Sequence, residues 1–298
     1  MQGIICDRSH SKQFSRSASA SARKSIIRIL LIMAATLSSL QRTTAASKSL
    51  YIVRHGQAQH NPRAEAAKAA GCSMQRFFEL MRDDDALDAD LTQIGREQGR
   101  SSRLSSHVAK SLDLVVSSPL SRALETANLV VDGASPQCSF QKVCCEDFRE
   151  INGSLLNAQR RSTQELREKF PDWDFSGIPT TDTTWSTELE TYEACADRGY
   201  LGLCWLMGRS EQNILLVAHG GLLRFMMTMQ PNVQMRDMRK TTKTNPLCDD
   251  RFDNCEVRRY LLDWEDSCDV KSVDDEETGS QDLSKSSART LVLTQVDL

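Results

Sequence analysis

Two short apolar runs in this chain each lead into a histidine that is followed by a glycine. Leu50–Val53 reaches His55 after one arginine, and Ile214–Ala218 runs directly into His219. Apolar runs of this length are typical of strands that are buried on both faces of a mostly parallel sheet. Because the chain has only five histidines, the placement of two of them at equivalent strand ends indicates a common site.

Further apolar runs alternate with longer amphipathic stretches after residue 48. This alternation predicts an α/β fold, a three-layer α/β/α sandwich around a mostly parallel central sheet. A length of 298 residues suits one large domain, which we place at 49–298. The predicted strands are 49–56, 112–119, 213–220, 256–264 and 290–296, and the predicted helices are 62–82, 92–107, 119–131, 161–169, 186–208 and 220–229.

The amino-terminal segment 1–48 has a different composition. It holds eight Lys or Arg residues and a single acid, and it is rich in Ser and Ala, which predicts a targeting presequence. A secretory signal would have its apolar core at Ile29–Leu37 and a cleavage site near Ala45. A mitochondrial or plastid transit peptide explains the scattered Arg and Ser equally well. An uncleaved signal anchor and a disordered cytoplasmic tail are also compatible with this composition.

The charge of the remaining sequence excludes some partners. The formal charge is −3 for the whole chain and +7 for 1–48, which leaves −10 for the domain. A net-acidic domain argues against nucleic acid as a partner, and any phosphate site must be a local basic pocket. We expect no membrane partner for the mature domain, and the oligomeric state stays open. The acidic, Ser-rich segment 265–287 predicts a flexible insertion before the last strand.

A third strand end is expected to bring an arginine to the two histidines. Leu114–Val116 runs into Ser117 and then into a helix that carries Arg122, while Arg54 directly precedes His55. Ligands of open α/β sheets bind at the carboxyl ends of the strands. Guanidinium and imidazole groups suit the negative charge that a transferring phosphoryl group spreads over its oxygens. The sequence therefore predicts a pocket in which two imidazoles and two guanidiniums surround one phosphoryl group.

The signatures of several other catalytic classes do not occur in the sequence. No cysteine is followed six residues later by an arginine, and neither a G-x-S-x-G elbow nor a G-x-x-x-x-G-K-[ST] loop occurs. The histidines are scattered and form no H-E-x-x-H, so we predict neither a metal nor another cofactor. The ten cysteines contain no C-x-x-C pair, and we interpret most of them as buried apolar residues, although a secretory destination would allow disulfides.

In order and spacing, several motifs resemble those of the histidine phosphatase superfamily, also called phosphoglycerate mutase-like. The resemblance spans roughly 49–264 and is strongest to the members from plants, algae and fungi. One departure is Gly153, which follows Glu150 by three residues instead of the four seen in many members. The motifs are "RHGQAQHN" (54–61), "LTQIGREQ" (91–98), "SSPLSRALETA" (117–127), "FREINGS" (148–154), "RRSTQELREKFPDWDFSGI" (160–178), "VAHGGLLRF" (217–225) and "NCEVRRYLL" (254–262).

This resemblance implies a role for each matching residue. His55 would accept the phosphoryl group, Glu150 would donate a proton to the leaving group, and His219 would complete the catalytic set. The glycine after each histidine is expected to let the backbone approach the ligand, and His60 to line the mouth of the site or to be a core residue. The residues predicted to bind the substrate phosphate are Arg54, Asn61, Arg122 and Gly220.

Three functions are compatible with these residues. A phosphatase that hydrolyses phosphomonoesters of small molecules is favoured, because the insertion 62–90 does not resemble the corresponding segment of the mutases. The second is a phosphoglycerate mutase-type phosphotransferase. The third is a catalytically retired phosphate-binding module, and the competent residues at every expected catalytic position argue against it. Selectivity would come from loops such as 62–90 and 154–185, where Trp173 and Trp185 either contact a leaving group or pack.

Overall fold

The centre of the domain is a sheet whose inner strands are the apolar runs. The computed structural model describes residues 47–132, 140–237, 251–266 and 289–298. Within them the strands are β1 Lys48–Arg54, β2 Leu114–Ser117, β3 Gln141–Cys144, β4 Asn213–Ala218, β5 Val233–Asp237, β6 Val257–Asp266 and β7 Arg289–Val296. These seven strands form one sheet in the order β3-β2-β4-β1-β6-β7-β5.

The sheet is mostly parallel, as predicted. Strands β1, β2 and β3 run parallel with their neighbours around β4, and β5 is parallel to β7. Only β6 runs the other way, antiparallel to both β1 and β7. All residues of β2 and five of the six in β4 are buried, which is expected of strands that are covered on both faces.

Helices cover both faces of the sheet and make it a three-layer sandwich. They are α1 Pro62–Ala69, α2 Met74–Asp83, α3 Gln93–Ser101, α4 Ser106–Ser111, α5 Ser121–Val131, α6 Thr163–Lys169, α7 Tyr192–Met207 and α8 Gly220–Thr228, with short 3-10 turns at Glu146–Phe148 and Leu156–Ala158. Alternate residues of β1 point to opposite faces, since Leu50 and Ile52 pack with α7 and α8, whereas Tyr51 and Val53 pack with α5 and α6.

Two helices predicted as continuous are each divided in two. The prediction 62–82 is wrong at Gly71, which has φ +82, a conformation that a helix does not accommodate. The side chain of Ser73 then accepts a hydrogen bond from the amide of Arg76 and begins α2. The prediction 92–107 is also wrong, because α3 ends at Ser101 and the side chain of Ser105 then caps the start of α4.

The two strands missed from the sequence are β3 and β5, which form the two edges of the sheet. An edge strand is covered less completely than a central one, so it lacks a continuous apolar run. Two smaller differences concern boundaries: β1 begins at Lys48, one residue before the predicted start, and α7 begins after its cap Thr191 rather than at 186. The presequence, apart from residues 47 and 48, and nearly all of the acidic segment 265–287 lie outside the described residues.

Two further findings concern the described part of the chain as a whole. No helix within 47–132, 140–237, 251–266 or 289–298 combines the length and the apolar character that a membrane crossing requires. The six cysteines described there form no disulfide with one another. They are Cys72, Cys144, Cys145, Cys195, Cys204 and Cys255, of which Cys144, Cys195 and Cys255 are buried.

Candidate active site

The two predicted histidines lie side by side at the carboxyl ends of β1 and β4. These strands pair in parallel with Arg54 opposite Ala218, so the residue that follows each strand emerges at the same level. The amide of His55 also donates to the carbonyl of Ala218 at 3.0 Å. The two imidazole centroids are 4.9 Å apart, and both rings are buried, with His55 3% and His219 0% exposed.

The protonation of His55 is determined by its own loop. Its Nδ1 lies 2.6 Å from the carbonyl oxygen of Gly56, and since a carbonyl only accepts, the proton of the neutral ring is on Nδ1. The Nε2 atom therefore carries the lone pair of the ring, which accepts from Arg122 Nε at 3.4 Å. Burial, and then the charges of Arg122 and Arg54, hold the pKa of His55 well below its usual value, so the ring is neutral at neutral pH.

Arg122 extends from α5 towards this lone pair. Its Nε is 3.4 Å from His55 Nε2, and one terminal nitrogen donates to the carbonyl of Asn157 at 2.6 Å. The other terminal nitrogen is buried and has no partner among the described residues. Burial lowers the pKa of Arg122 to about 10, which still leaves it charged at neutral pH. A buried donor of this kind suits an anionic ligand.

His219 is oriented by Ser118, at the end of β2. Its Nε2 lies 2.7 Å from Ser118 Oγ, which also accepts from the amide of Leu120 at 3.3 Å. Ser118 Oγ can donate its hydroxyl proton to Nε2, and in that tautomer the neutral ring carries its own proton on Nδ1. That Nδ1 is buried without a partner in the described chain. Burial, followed by the charge of Arg122, lowers the pKa of His219 well below its usual value.

Glu150 reaches the same point from the opposite side. Its carboxylate accepts backbone N–H bonds from Leu222 at 3.0 Å and Gly221 at 3.3 Å, in the first turn of α8, and from Ile151 at 2.9 Å. A Cβ at Gly221 would lie 2.4 Å from Glu150 Oε1, so a side chain there would displace the carboxylate from this position. The following Gly153, with φ +86, allows the chain to turn at the position where the motif departs from many family members.

Arg54 borders the site but is engaged with protein groups. Its two terminal nitrogens donate to Glu65 at 2.9 Å and to the carbonyl of Phe252 at 3.0 Å, and its Nε is buried without a partner in the described residues. A Cβ at Gly220 would lie 3.1 Å from that Nε, and a Cβ at Gly56 would meet the carbonyl of Gly95 at 2.6 Å. Both glycines therefore permit close packing within the protein, and their contact with a ligand stays a prediction.

Two further polar residues follow His55 in the same loop. The side-chain oxygen of Asn61 accepts from the amide of Ala58 at 3.0 Å, which closes the loop. His60 is 3% exposed and its Nδ1 has no partner in the described chain. Burial, with the charges of Arg122 and Arg54, lowers its pKa, so His60 belongs to the interior of the site.

Several residues that position the site were not predicted. Ser118 orients His219, Asn254 donates to the carbonyl of His55 at 3.0 Å, and Thr126 accepts from the amide of Gly56 at 3.1 Å. Ser118 stands next to a predicted strand end and could have been found on that ground. Asn254 begins the motif 254–262, but nothing in that motif indicates a contact with His55, which lies 199 residues away in the sequence.

The structure also describes the two tryptophans named from the sequence, and His107. Trp173 is buried and donates to Asn128 at 3.1 Å, and Trp185 donates to the carbonyl of Leu155 at 2.9 Å. Trp173 therefore packs in the core, whereas Trp185 is half-buried. His107 is exposed on α4.

The catalytic set also has the composition of a metal site. Ligand atoms of His55, Glu150 and His219 lie within 4.8 Å of one another, and two histidines with one glutamate are a set that zinc accepts. The surroundings oppose a cation, because Arg54 and Arg122 contribute positive charge and Glu150 is already hydrogen-bonded to three amides. This arrangement fits an anion better than a metal ion.

Comparisons with known proteins agree with this geometry. The model of the histidine phosphatase superfamily (branch 1) matches residues 50–248. "Phosphoglycerate mutase-like protein 1" of Arabidopsis thaliana is 32% identical over 244 residues, which are 72% of this chain and 81% of that protein. "Phosphoglycerate mutase-like protein" of the same plant is 28% identical over 244 residues, 72% of this chain and 84% of that protein.

Among solved structures, a mycobacterial glucosyl-3-phosphoglycerate phosphatase in complex with VO3 is similar in fold. It is 20% identical, covers 72% of this chain and 93% of its own, and superposes with a TM-score of 0.40. A likeness of this degree adds nothing about activity.

Proposed function

This chain belongs to the histidine phosphatase superfamily, and we propose that it hydrolyses phosphomonoesters through a phosphorylated His55. One observation carries the proposal: the Nδ1 proton of His55 is held by the carbonyl of Gly56, so that the lone pair of Nε2 faces the charged group of Arg122. An imidazole in this state is a nucleophile at neutral pH. The guanidinium beside it holds the phosphoryl group at the position of attack.

In the first half of the proposed reaction, His55 Nε2 attacks phosphorus in line with the ester oxygen. The bond from nitrogen to phosphorus forms while the bond from phosphorus to the ester oxygen breaks. Glu150, in its protonated form, gives its proton to the departing alkoxide, which leaves as an alcohol. Its position supports this role, since its carboxyl oxygens lie within 4.8 Å of ligand atoms of both histidines.

In the second half, water attacks the phosphorus of the phosphohistidine. Glu150, now ionised, takes the proton of the water, and the bond between phosphorus and His55 breaks to release inorganic phosphate. The proton on Glu150 is thereby restored. During both steps the equatorial oxygens accept from one terminal nitrogen of Arg122 and from the Nδ1 proton of His219. Both nitrogens are buried and lack protein partners in the described residues.

The proposal is tested by trapping the intermediate. We expect the purified protein to release phosphate from p-nitrophenyl phosphate in the presence of a chelator, and rapid acid-free quenching to yield an acid-labile, base-stable phosphoprotein. His55→Ala should form none. Glu150→Gln should lower kcat about 100-fold or more, because general acid catalysis typically contributes about 10² to 10⁴, while still forming the phosphoprotein from an ester with a good leaving group. Loss of activity on chelation, or full activity of His55→Ala, would refute the mechanism.

A further inference from the structure

Three elements from distant parts of the chain pack around the guanidinium of Arg54. Helix α1 contributes Glu65, whose carboxylate lies 2.9 Å from one terminal nitrogen. Helix α8 contributes Gly220, whose missing side chain leaves room for Arg54 Nε. The third element contributes Phe252, whose carbonyl accepts from the other terminal nitrogen at 3.0 Å. The guanidinium of Arg54 therefore contacts all three elements.

Each of these elements carries a second cation close to its contact with Arg54. Lys68 is three residues after Glu65 on α1, and Arg224 is four residues after Gly220 on α8, so each lies one helical turn further along the same face. Arg251 directly precedes Phe252 in the chain. All three side chains are exposed, and we call Lys68, Arg224 and Arg251 the basic rim.

The charges of the rim repel one another and are not neutralised by ion pairs. None of the three forms an ion pair with an acid within residues 47–132, 140–237, 251–266 and 289–298. The pKa of Lys68 is lowered by partial burial and by the charges of Arg251, Arg54 and Arg224, and that of Arg251 is lowered by burial and then by Arg224 and Arg54. Such a cluster is unexpected in a domain with a formal charge of −10, and an anion would relieve its repulsion.

The rim lies on the leaving-group side of the catalytic residues. Glu150, the proposed proton donor, is hydrogen-bonded to the first turn of α8, and Arg224 is on the next turn of the same helix. A leaving group whose ester oxygen is near Glu150 can extend along α8 towards the rim. The phosphate that is transferred is held at the other end, by Arg122 and the histidines.

We propose that the preferred substrates are small phosphomonoesters that carry a second anionic group, a phosphate or a carboxylate, which the basic rim binds while the first phosphate is transferred. This inference rests on the proposed function, because it assigns the leaving group that the same site accepts. Lys68 and Arg224 are expected to contribute most. Arg251 should contribute least, since Asp249 and Asp250 precede it directly in the sequence.

A length series of substrates tests the rim. The substrates are alkane α,ω-bisphosphates of two to six carbons and the ω-hydroxyalkyl phosphates of the same lengths, which lack only the second phosphate. For the wild-type protein we expect kcat/KM at the best length to be about tenfold or more higher for the bisphosphate, since two charge contacts near a protein surface contribute about this much. Salt should reduce this preference.

The matched variants separate a subsite from general electrostatic attraction. Lys68→Ala combined with Arg224→Ala should remove the preference for the bisphosphate and leave turnover of p-nitrophenyl phosphate and of the hydroxyalkyl esters within about twofold. The control is Arg100→Ala with Lys110→Ala, which removes two exposed cations from α3 and α4 and the same net charge. It should retain the preference. Equal kcat/KM for both series in the wild type, or equal loss for both series in the rim variant, would overturn the rim as a subsite.

Failure of the proposed function gives a different result. In that case no ester, including p-nitrophenyl phosphate, is hydrolysed. The rim is then tested by calorimetric binding of propane-1,3-diyl bisphosphate and 3-hydroxypropyl phosphate to the wild-type protein and to both double variants. Tighter binding of the bisphosphate that only the rim variant loses would support the subsite, and equal binding of the two ligands would overturn it.

Discussion

Arg122 and Arg149 are both almost completely buried, but their surroundings differ. Arg149 forms ion pairs with Glu146 at 3.1 Å and Asp182 at 2.8 Å. Arg122 forms no ion pair within the described residues and contacts an imidazole and a carbonyl instead. Accordingly burial lowers the pKa of Arg122 to about 10. Burial alone would raise the pKa of Asp182. The hydrogen bond and charge of Arg149 nevertheless hold that pKa well below its usual value.

The difference supports Arg122, rather than Arg149, as the buried charge that would bind a ligand in the proposed function. An isolated buried charge costs several kcal/mol unless a partner compensates it. Arg149 has that partner permanently, and together with Arg160, which pairs with Glu146 at 2.6 Å, it joins the loop before Glu150 to the loop around Asp182. Arg122 lacks a permanent partner, and an incoming phosphate would supply the missing negative charge. Arg149 stabilises the fold, whereas we propose that Arg122 is available to bind the substrate phosphate.

The largest expected effect is on activity, in Arg122→Met. Without the guanidinium beside His55 Nε2, kcat/KM should fall about 1000-fold, which corresponds to about 4 kcal/mol of transition-state stabilisation. The free energy of unfolding should be unchanged or increased, because an unpaired buried charge is removed. Phosphate release and thermal unfolding measure the two quantities. A strongly destabilised but active variant would contradict the comparison.

The next effect is on stability, in Arg149→Met. Removal of this arginine leaves the buried carboxylate of Asp182 without its cation, while Glu146 keeps its pair with Arg160, and the free energy of unfolding should fall by about 3–5 kcal/mol. Urea denaturation measures it. The control is Arg63→Ala, whose pair with Asp84 is on the surface with Arg63 54% exposed and should cost less than about 1 kcal/mol. Equal effects of both substitutions would show that burial does not distinguish the two pairs.

The smallest effects, taken per pH unit and per group, are the pH dependences of the two regions. His55 and His219 have lowered pKa values in the folded state. Below about pH 6.5 these histidines therefore become protonated in the unfolded chain but stay neutral in the folded chain. Stability should then fall by up to about 1.4 kcal/mol per pH unit for each group. The effect of Asp182 occurs at lower pH. Its contribution to the free energy of unfolding is complete above about pH 3.9 and is lost as the pH falls further.

Unfolding curves in urea at pH 7, 5.5, 4 and 3 separate these two ranges. His55→Asn should flatten the loss between pH 6.5 and 4.5, and Asp182→Asn should flatten the loss below pH 4. The opposite assignment, in which the aspartate variant alters the higher range, would contradict the pKa directions on which the comparison depends.

Most of the central fold and the chemical groups of the site were predictable from local sequence. The runs Leu50–Val53 and Ile214–Ala218 mark central strands because burial on both faces demands apolar residues at every position. The parallel arrangement then brings His55 and His219 together. The edge strands were missed for the complementary reason, since one of their neighbours is absent. The breaks at Gly71 and Ser105 depend on single backbone conformations that amphipathic patterns do not specify.

The sequence by itself determined the central strands and the residues that follow them, because hydrophobic periodicity and the residues at a strand end are local properties. Only the tertiary structure decided which nitrogen of His55 carries the lone pair, that Gly220 packs against Arg54, and which buried arginine forms an ion pair with a carboxylate. These properties depend on distances between atoms that are far apart in the chain, such as those joining Arg54 to Phe252 or Arg149 to Asp182. Hydrogen bonds and charge effects change steeply with such distances, and no residue pattern records them.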